Sequence, residues 1–232
     1  MYLNKYLLRA LYGEKQIILY IDPAKIKYHI GTSKPNADKF RRKIQNIQRI
    51  TGLKKVWFSP ILNLHHVFES FLIDRNYYQS PINIESTEKY IRVKDFIENI
   101  NNLEKTSWRK TLLNELFENG FAMHKKIIMH SEREIDDFLI NYVKSLVDSI
   151  KADGYDINKN KEIGSVLVAK DGGLHKSGFG NHRFAIARIL GIKPIPVVIK
   201  GIHSDWYEEK IGHSLNISAL KKKITNIEND FS

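Results

Sequence analysis

One run in the C-terminal half sets the order of several elements and restricts the fold more than any other part of the chain. Residues 162–173 are rich in β-branched and apolar side chains and end in Asp-Gly-Gly, which predicts a strand and a tight turn. A short extended piece and a loop with Gly178 and Gly180 follow, and residues 181–190 have helical spacing before a glycine. Residues 193–203 predict another strand. This order predicts an α+β fold.

The segment before this run carries a signal for the start of a helix. Ser131 precedes Glu134 by three residues, which is the spacing of a capping box. We expect the helix to run to about residue 152 and to end at Gly154. Ser145 and Ser149 are four residues apart, so their hydroxyls lie on one side of the helix. Taken alone, they are serines that a helix tolerates without any ligand.

The loop with Gly178 and Gly180 has the composition of an anion site. Because it opens a helix, it presents backbone N–H groups and the positive end of the helix dipole. His182 and Arg183 in the first turn are expected to be cationic, and Arg binds phosphate oxygens through its planar fork. The alternative is a glycine-capped turn whose arginine makes an ordinary surface ion pair.

Two motifs in this context resemble the ParB and sulfiredoxin superfamily. YVKSLVDSIKADGY is similar to its L-x-x-S-I type helix, and GNHRFAIARILGIKPIPVVI is similar to its G-x-[HR]-R-x-x-A helix. The resemblance covers residues 131–206 and implies a ParB/sulfiredoxin-like nucleotide-binding domain. It also implies a triphosphate site built from Ser145, Ser149, Gly180, Asn181, His182 and Arg183. We include Gly178, which belongs to the same loop.

Departures from the superfamily narrow the function. Sulfiredoxins carry a cysteine where this chain has Asn181, and the chain contains no cysteine, so sulfinic-acid repair is excluded. Only 26 residues follow Trp206, so we expect neither the helix-turn-helix region nor the dimerisation segment of chromosome-partitioning ParB proteins. The chain is more similar to stand-alone ParB-like proteins with a His-x-x-Trp ending, here His203 to Trp206, which are associated with surface-polysaccharide gene clusters.

The resemblance to free serine kinases, which belong to the same superfamily, implies a phosphotransferase. We expect ATP or another nucleoside triphosphate as cofactor, a small-molecule or sugar hydroxyl as acceptor, and Mg²⁺ held largely by the phosphates. Asp22 and Glu162 are the candidate catalytic carboxylates. Asp171 is expected to form its tight turn instead, and Asp148 to face away from the phosphates. No protein ligand for the metal is identified.

The charge of the chain leaves another function open. A formal charge of +11 favours polyanionic partners, and the basic segment from Lys34 to Lys55 has the density to follow a phosphate backbone. A nucleic-acid-binding or nuclease module is therefore one alternative, and a nucleotide-dependent switch without turnover is another. A solvated helix face explains the basic segment equally well.

The sequence also predicts the domain organisation. We expect a mainly helical region over 1–130 with a short strand near 16–22, the nucleotide-binding domain over 131–206, and a tail over 207–232. Residues 56–62 predict a further extended segment, and the adjacent His65 and His66 point apart on a helix and do not form a metal pair. Charged residues interrupt every apolar run before the roughly 18 residues of a membrane span, so we expect a cytoplasmic protein. The oligomeric state is not indicated.

Overall fold

A mixed β-sheet organises the part of the chain that the structure describes. The computed structural model describes residues 3–14, 16–31, 35–52, 57, 60–61, 70–156 and 163–232. Within these ranges seven strands form one sheet and two more form a separate hairpin. The sheet strands are β1 (Ile18–Ile21), β2 (Tyr28–His29), β3 (Leu72–Ile73), β4 (Ile82–Asn83), β7 (Gly164–Val168), β8 (Leu174–Ser177) and β9 (Ile195–His203); the hairpin strands are β5 (Ala122–His124) and β6 (Ile127–Met129).

The C-terminal strands form the centre of the sheet, whose order is β1-β9-β7-β8-β2-β4. Strand β9 runs antiparallel to β1 and parallel to β7, and its last residues pair with β3. The region over 1–130 therefore supplies four sheet strands and the hairpin, in addition to its helices. Most of these strands have two or three residues, which is too short for an alternating pattern to reveal them in the sequence.

Nine helices accompany the sheet within the described ranges. They are α1 (Lys5–Tyr12), α2 (Pro35–Thr51), α3 (Glu88–Glu98), α4 (Ser107–Asn119), α5 (Glu132–Phe138), α6 (Ser145–Asp153), α7 (Asn181–Leu190), α8 (Ser204–Lys210) and α9 (Ile217–Phe231). In α1 the exposed side chains include Leu7 and Leu11, whereas Leu8 is buried. In the described ranges, no helix combines the length and apolar character needed to cross a bilayer.

The capping box predicts the start of α5 correctly. The Ser131 hydroxyl accepts a hydrogen bond from the Glu134 N–H, and the Glu134 carboxylate accepts one from the His130 N–H. The expected single helix is interrupted, because residues Leu139–Lys144 form a π-helical segment between α5 and α6. Gly154 ends α6, as its sequence position predicts.

Helices α7 and α9 both contribute buried residues to the core. Four consecutive residues of α7, from Phe184 to Ala187, are buried. Residues 207–232, which were expected to form a tail, instead form α9 and part of α8, and α9 packs against β1 and α1. The apolar residues of α9 at spacings of three and four, Leu220, Ile224 and Ile227, are buried. Most of the predicted extended segment over 56–62, and His65 and His66, lie outside the described residues.

Candidate anion-binding site

The segment 177–180, which is the last residue of β8 and the loop from there to α7, packs directly on the first residue of β7. We call it the glycine loop. Gly180 has a φ of +69°, and a Cβ atom there would lie 2.7 Å from the Cα of Gly164 and 2.9 Å from its nitrogen. Only glycine combines a left-handed conformation with such close backbone approach. The glycine loop and the start of β7 are therefore held against each other.

A buried lysine fastens the glycine loop from inside. Lys176 is 1% exposed, and its ammonium group donates to the carbonyl oxygen of Ser177, to that of Phe179 at 2.5 Å and to Oδ1 of Asn181 at 2.8 Å. The Nδ2 of Asn181 donates to the carbonyl oxygen of Gly178 at 3.2 Å. Burial lowers the pKa of Lys176, while its three oxygen partners stabilise the charged form. The loop is thus held by side chains that lie behind it.

Helix α7 begins at the glycine loop without a capping side chain. Gly180 is its N-cap residue and has no side-chain oxygen to accept the first N–H groups. The N-terminal end of a ten-residue helix carries a positive partial charge and N–H groups that bind anions well. The expectation that Gly180, Asn181 and Arg183 lie together at a helix start agrees with this geometry.

A cavity of about 590 Å³ opens in front of this helix end. It is lined by Gln16, Lys89, Lys125, Tyr142, Leu146, Ile163, Gly178, Phe179, Gly180, Asn181, His182, Arg183, Val198 and Lys200. Four of these residues are Lys or Arg, and none of the described lining residues is Asp or Glu. The cavity therefore has the charge that a phosphate group or another polyanion requires.

The four cations of the cavity come from separate elements. Lys89 belongs to the first turn of α3, Lys125 to the turn between β5 and β6, Arg183 to α7 and Lys200 to β9. Lys200 is the extra residue of a β-bulge, because Val166 pairs with Ile199 while the next residue of β7 pairs with Gly201. Bulges redirect side chains beside functional sites. The three lysines carry no local sequence signal, and only the fold brings them together.

The surroundings of His182 favour its neutral form. Its ring lies 5.2 Å from the ring centre of Trp108 and 5.5 Å from that of His124. Burial in this cluster, with a smaller effect of His124 and nearby cations, lowers the pKa of His182 to about 3. This lowered pKa argues against the expected second cation beside Arg183. A neutral imidazole in this cavity still offers one hydrogen-bond donor or acceptor to a ligand.

The two candidate serines do not line the cavity. The exposed Ser145 donates its hydroxyl to the carbonyl oxygen of Ile140 at 3.2 Å, and the same stretch of chain contributes Tyr142 and Leu146 to the cavity instead. A π-helical turn closes its hydrogen bond over one more residue than an α-helical turn does, so it rotates the residues that follow it about the helix axis. The π-helical segment over Leu139–Lys144 precedes Ser145 and Ser149, so it turns them away from the direction that an uninterrupted α-helix would give them.

Asp22 lies away from the cavity and is already engaged. Its carboxylate accepts from the Ala24 N–H and pairs with the Lys193 ammonium at 2.8 Å, and the bond to Lys193 lowers the pKa of Asp22. Asp22 lies six positions after the lining residue Gln16 along mostly extended chain, a span of roughly 20 Å. Asp22 is therefore not placed to act as a base on a ligand in the cavity.

None of the other three acidic residues considered from the sequence is a described lining residue of the cavity. Glu162 lies outside the described residues and directly precedes the lining residue Ile163 in the sequence. Asp171 accepts from the Gly173 N–H at 2.9 Å and forms the tight turn, as the sequence predicts. Asp148 pairs with Lys144 at 2.7 Å.

The described residues form no protein site for Mg²⁺. Among them, no group of three His, Asp or Glu side chains is placed to hold a metal ion. The described lining of the cavity is cationic and lacks the carboxylates that Mg²⁺ prefers. A divalent ion in this cavity therefore depends on phosphate oxygens that a ligand brings with it.

Comparison of the chain with known proteins identifies no relative. No family model matches the chain, and neither the curated proteins nor the solved structures include a significant match. The resemblance to the ParB and sulfiredoxin superfamily rests on the two sequence motifs, and its functional implications are taken up below as proposals.

Proposed function

We propose that the cavity binds the phosphates of a nucleoside triphosphate and that the protein transfers a phosphoryl group to the hydroxyl of a small molecule or sugar. One observation carries the proposal: four cationic side chains and the uncapped start of α7 converge on a single cavity whose described lining has no acid. A triphosphate has the charge and the oxygen acceptors for such a surface.

Apolar side chains beside the cations favour a nucleotide over a bare phosphate. Phe179 lies on the glycine loop, lines the cavity and is 57% exposed, although burying an aromatic ring is favourable. Tyr142, Leu146 and Val198 add apolar surface. A base or a sugar ring binds such surface by stacking and burial. The volume of the cavity also lies within the usual range for small-molecule sites.

The transfer step needs little covalent chemistry from the protein. The bond between the γ-phosphorus and the bridging oxygen breaks, a new bond forms to the acceptor oxygen, and the acceptor proton passes to a base or to solvent. Cations around the phosphates stabilise the charge that develops. Glu162 remains the proposed base, by its sequence position, and the resemblance to free serine kinases supports the choice of reaction.

A calorimetric titration tests the binding half of the proposal. The protein is titrated with ATP, GTP, CTP and UTP in the presence of Mg²⁺, and the titrations are repeated with Arg183→Ala and Arg75→Ala. Arg75 is exposed, pairs with Asp205 at 3.7 Å and does not line the cavity, so it controls for the loss of one charge. We expect Arg183→Ala to weaken binding at least about tenfold, the effect of one charge-assisted hydrogen bond. Equal losses in the two variants contradict the proposal.

Phosphorus NMR tests the transfer half. The protein is incubated with the nucleotide that binds and with a panel of sugars, serine-like molecules and polyols. We expect a nucleoside diphosphate and a phosphate monoester to appear together, and Glu162→Gln to lose this turnover while it retains binding. Binding without product contradicts transfer and favours the switch without turnover.

Helix α2 supports nucleic acid as the second candidate. It carries part of the basic segment between Lys34 and Lys55, and its Lys43 and Arg49 are exposed. Counterion release makes such binding strongly salt-dependent. Oligonucleotide affinity that falls steeply between about 50 and 200 mM salt supports this function, and affinity that is absent or indifferent to salt contradicts it.

A further inference from the structure

Lys176 is a buried charge whose surroundings are unusual. A fully buried ammonium group is costly unless hydrogen bonds or an opposite charge compensate it. The partners of Lys176 are two backbone carbonyl oxygens and one amide oxygen, and it forms no ion pair with a described carboxylate. All three of its N–H donors are satisfied within the sequence 177–181, which is the glycine loop and the first residue of α7.

These bonds fix the direction of the peptide groups in the glycine loop. In a trans peptide the carbonyl oxygen and the next N–H point to opposite sides. Because the oxygens of Ser177 and Phe179 point to Lys176, the N–H groups of Gly178 and Gly180 point away from it. Both glycines line the cavity. The Asn181 Nδ2 donates to the oxygen of Gly178, and the oxygen of Gly180 accepts from the Phe184 N–H within α7.

We propose that Lys176 is a positioning residue of the anion site, which draws the oxygens of the glycine loop to the interior so that its N–H groups face the phosphates. The inference rests on the proposed phosphate binding. Without the lysine, the oxygen of Ser177 loses this donor, and that of Phe179 keeps only the longer of its two described bonds, 3.2 Å from the Ser165 N–H. The peptide groups are then less firmly held and can more readily present carbonyl oxygens to the cavity. An oxygen that faces a phosphate repels it, whereas an N–H binds it, so the orientation decides whether the loop attracts an anion.

The charge of Lys176 contributes to the same effect. The ammonium lies one peptide group behind the ligand-facing side of the glycine loop, so a bound anion stabilises it. The other groups that face it are Lys89 from α3, whose charge opposes it, His29 from β2 and the ring of Phe184, 5.7 Å from the ammonium. By linkage, an anion that binds more tightly to the charged form must raise the pKa of Lys176.

A pair of matched variants tests the positioning role. Tripolyphosphate is the probe, because it contains the phosphates alone, and affinities are measured by calorimetry for the unmodified protein, Lys176→Met and Lys25→Met. Lys25 also donates to backbone oxygens, those of Asp230 and Ser232, but does not line the cavity. We expect Lys176→Met to weaken binding by roughly tenfold to a hundredfold and Lys25→Met to leave it unchanged. Circular dichroism and thermal melting confirm that the variants are folded.

A second measurement on the unmodified protein keeps the test decisive if Lys176→Met does not fold. The side-chain nitrogens of labelled lysine are followed by NMR during a pH titration, with and without tripolyphosphate. We expect the resonance of Lys176, identified in a Lys176→Arg sample, to titrate at higher pH when tripolyphosphate is present. An unchanged titration overturns the inference.

The outcomes separate this inference from the proposed function. If the unmodified protein and Lys176→Met bind tripolyphosphate equally well, Lys176 has no positioning role, while phosphate binding stands. If the unmodified protein binds neither tripolyphosphate nor any nucleotide, the proposed function fails, and the positioning role fails with it.

Discussion

The close contact between the glycine loop and β7 predicts a large effect of Gly180→Ala. A non-glycine residue at the φ of +69° costs about 1 kcal/mol in conformational energy. The added Cβ would also meet the Cα and nitrogen of Gly164 at 2.7 and 2.9 Å, and backbone atoms do not move aside as a side chain does. Overpacking of this kind costs about 1–3 kcal/mol. We therefore expect a total loss of about 2–4 kcal/mol in the free energy of unfolding.

Gly191 at the other end of α7 is the matched control for this prediction. Its φ is +67°, and a Cβ atom there would have no neighbour within 4 Å. Gly191→Ala therefore carries the conformational cost alone, about 1 kcal/mol. Urea unfolding followed by circular dichroism gives both values at the same pH. Equal losses in the two variants would refute the close contact, and a larger loss in Gly191→Ala would refute the whole argument.

Two further predictions concern titratable groups. The pKa of His182 is about 3 in the folded protein and near 6.5 in an unfolded chain, so the unfolded chain binds a proton at higher pH than the folded protein does. Protonation of His182 therefore has no effect on stability above about pH 6.5. Below that pH it favours the unfolded chain, so stability falls as the pH drops toward 3. Urea unfolding from pH 7 to 4 should show a shallower pH dependence for His182→Gln, and parallel curves would contradict the burial of His182. Asp22→Asn should lower the free energy of unfolding by about 1 kcal/mol at neutral pH, because the pair with Lys193 is lost. The variant should also lose less stability below about pH 4 than the unmodified protein does, because it lacks the carboxylate whose pKa is lowered. Its nucleotide affinity should be unchanged. A calorimetric titration in which Asp22→Asn loses affinity would contradict its position away from the cavity.

Local signals in the sequence account for the parts of the fold that could be predicted. The capping box at Ser131, the tight turn at Asp171 and the glycine before α7 each act within a few residues, so the sequence alone shows them. The composition of the glycine loop is visible in the sequence for the same reason, and its anion-binding role stays a prediction. Neighbouring N–H groups, glycines and an arginine follow one another along the chain.

The remainder of the candidate site depends on tertiary structure. Lys89, Lys125 and Lys200 are far apart in a chain rich in lysine, and only the sheet and the bulge at Lys200 select them. The spacing of apolar residues does not distinguish the π-helical segment from an α-helix, so it does not show that Ser145 is exposed and outside the cavity lining. The neutral state of His182 follows from burial beside aromatic rings that its neighbours in sequence do not supply.

A crystal structure of the protein with a non-hydrolysable nucleoside triphosphate and Mg²⁺ tests phosphate binding at the glycine loop most directly. We expect phosphate density at the start of α7, within hydrogen-bond distance of the Gly180 and Asn181 N–H groups and of Arg183, with the base or sugar against Phe179. Phosphates bound elsewhere on the protein, or a glycine loop whose carbonyl oxygens face the ligand, would contradict it.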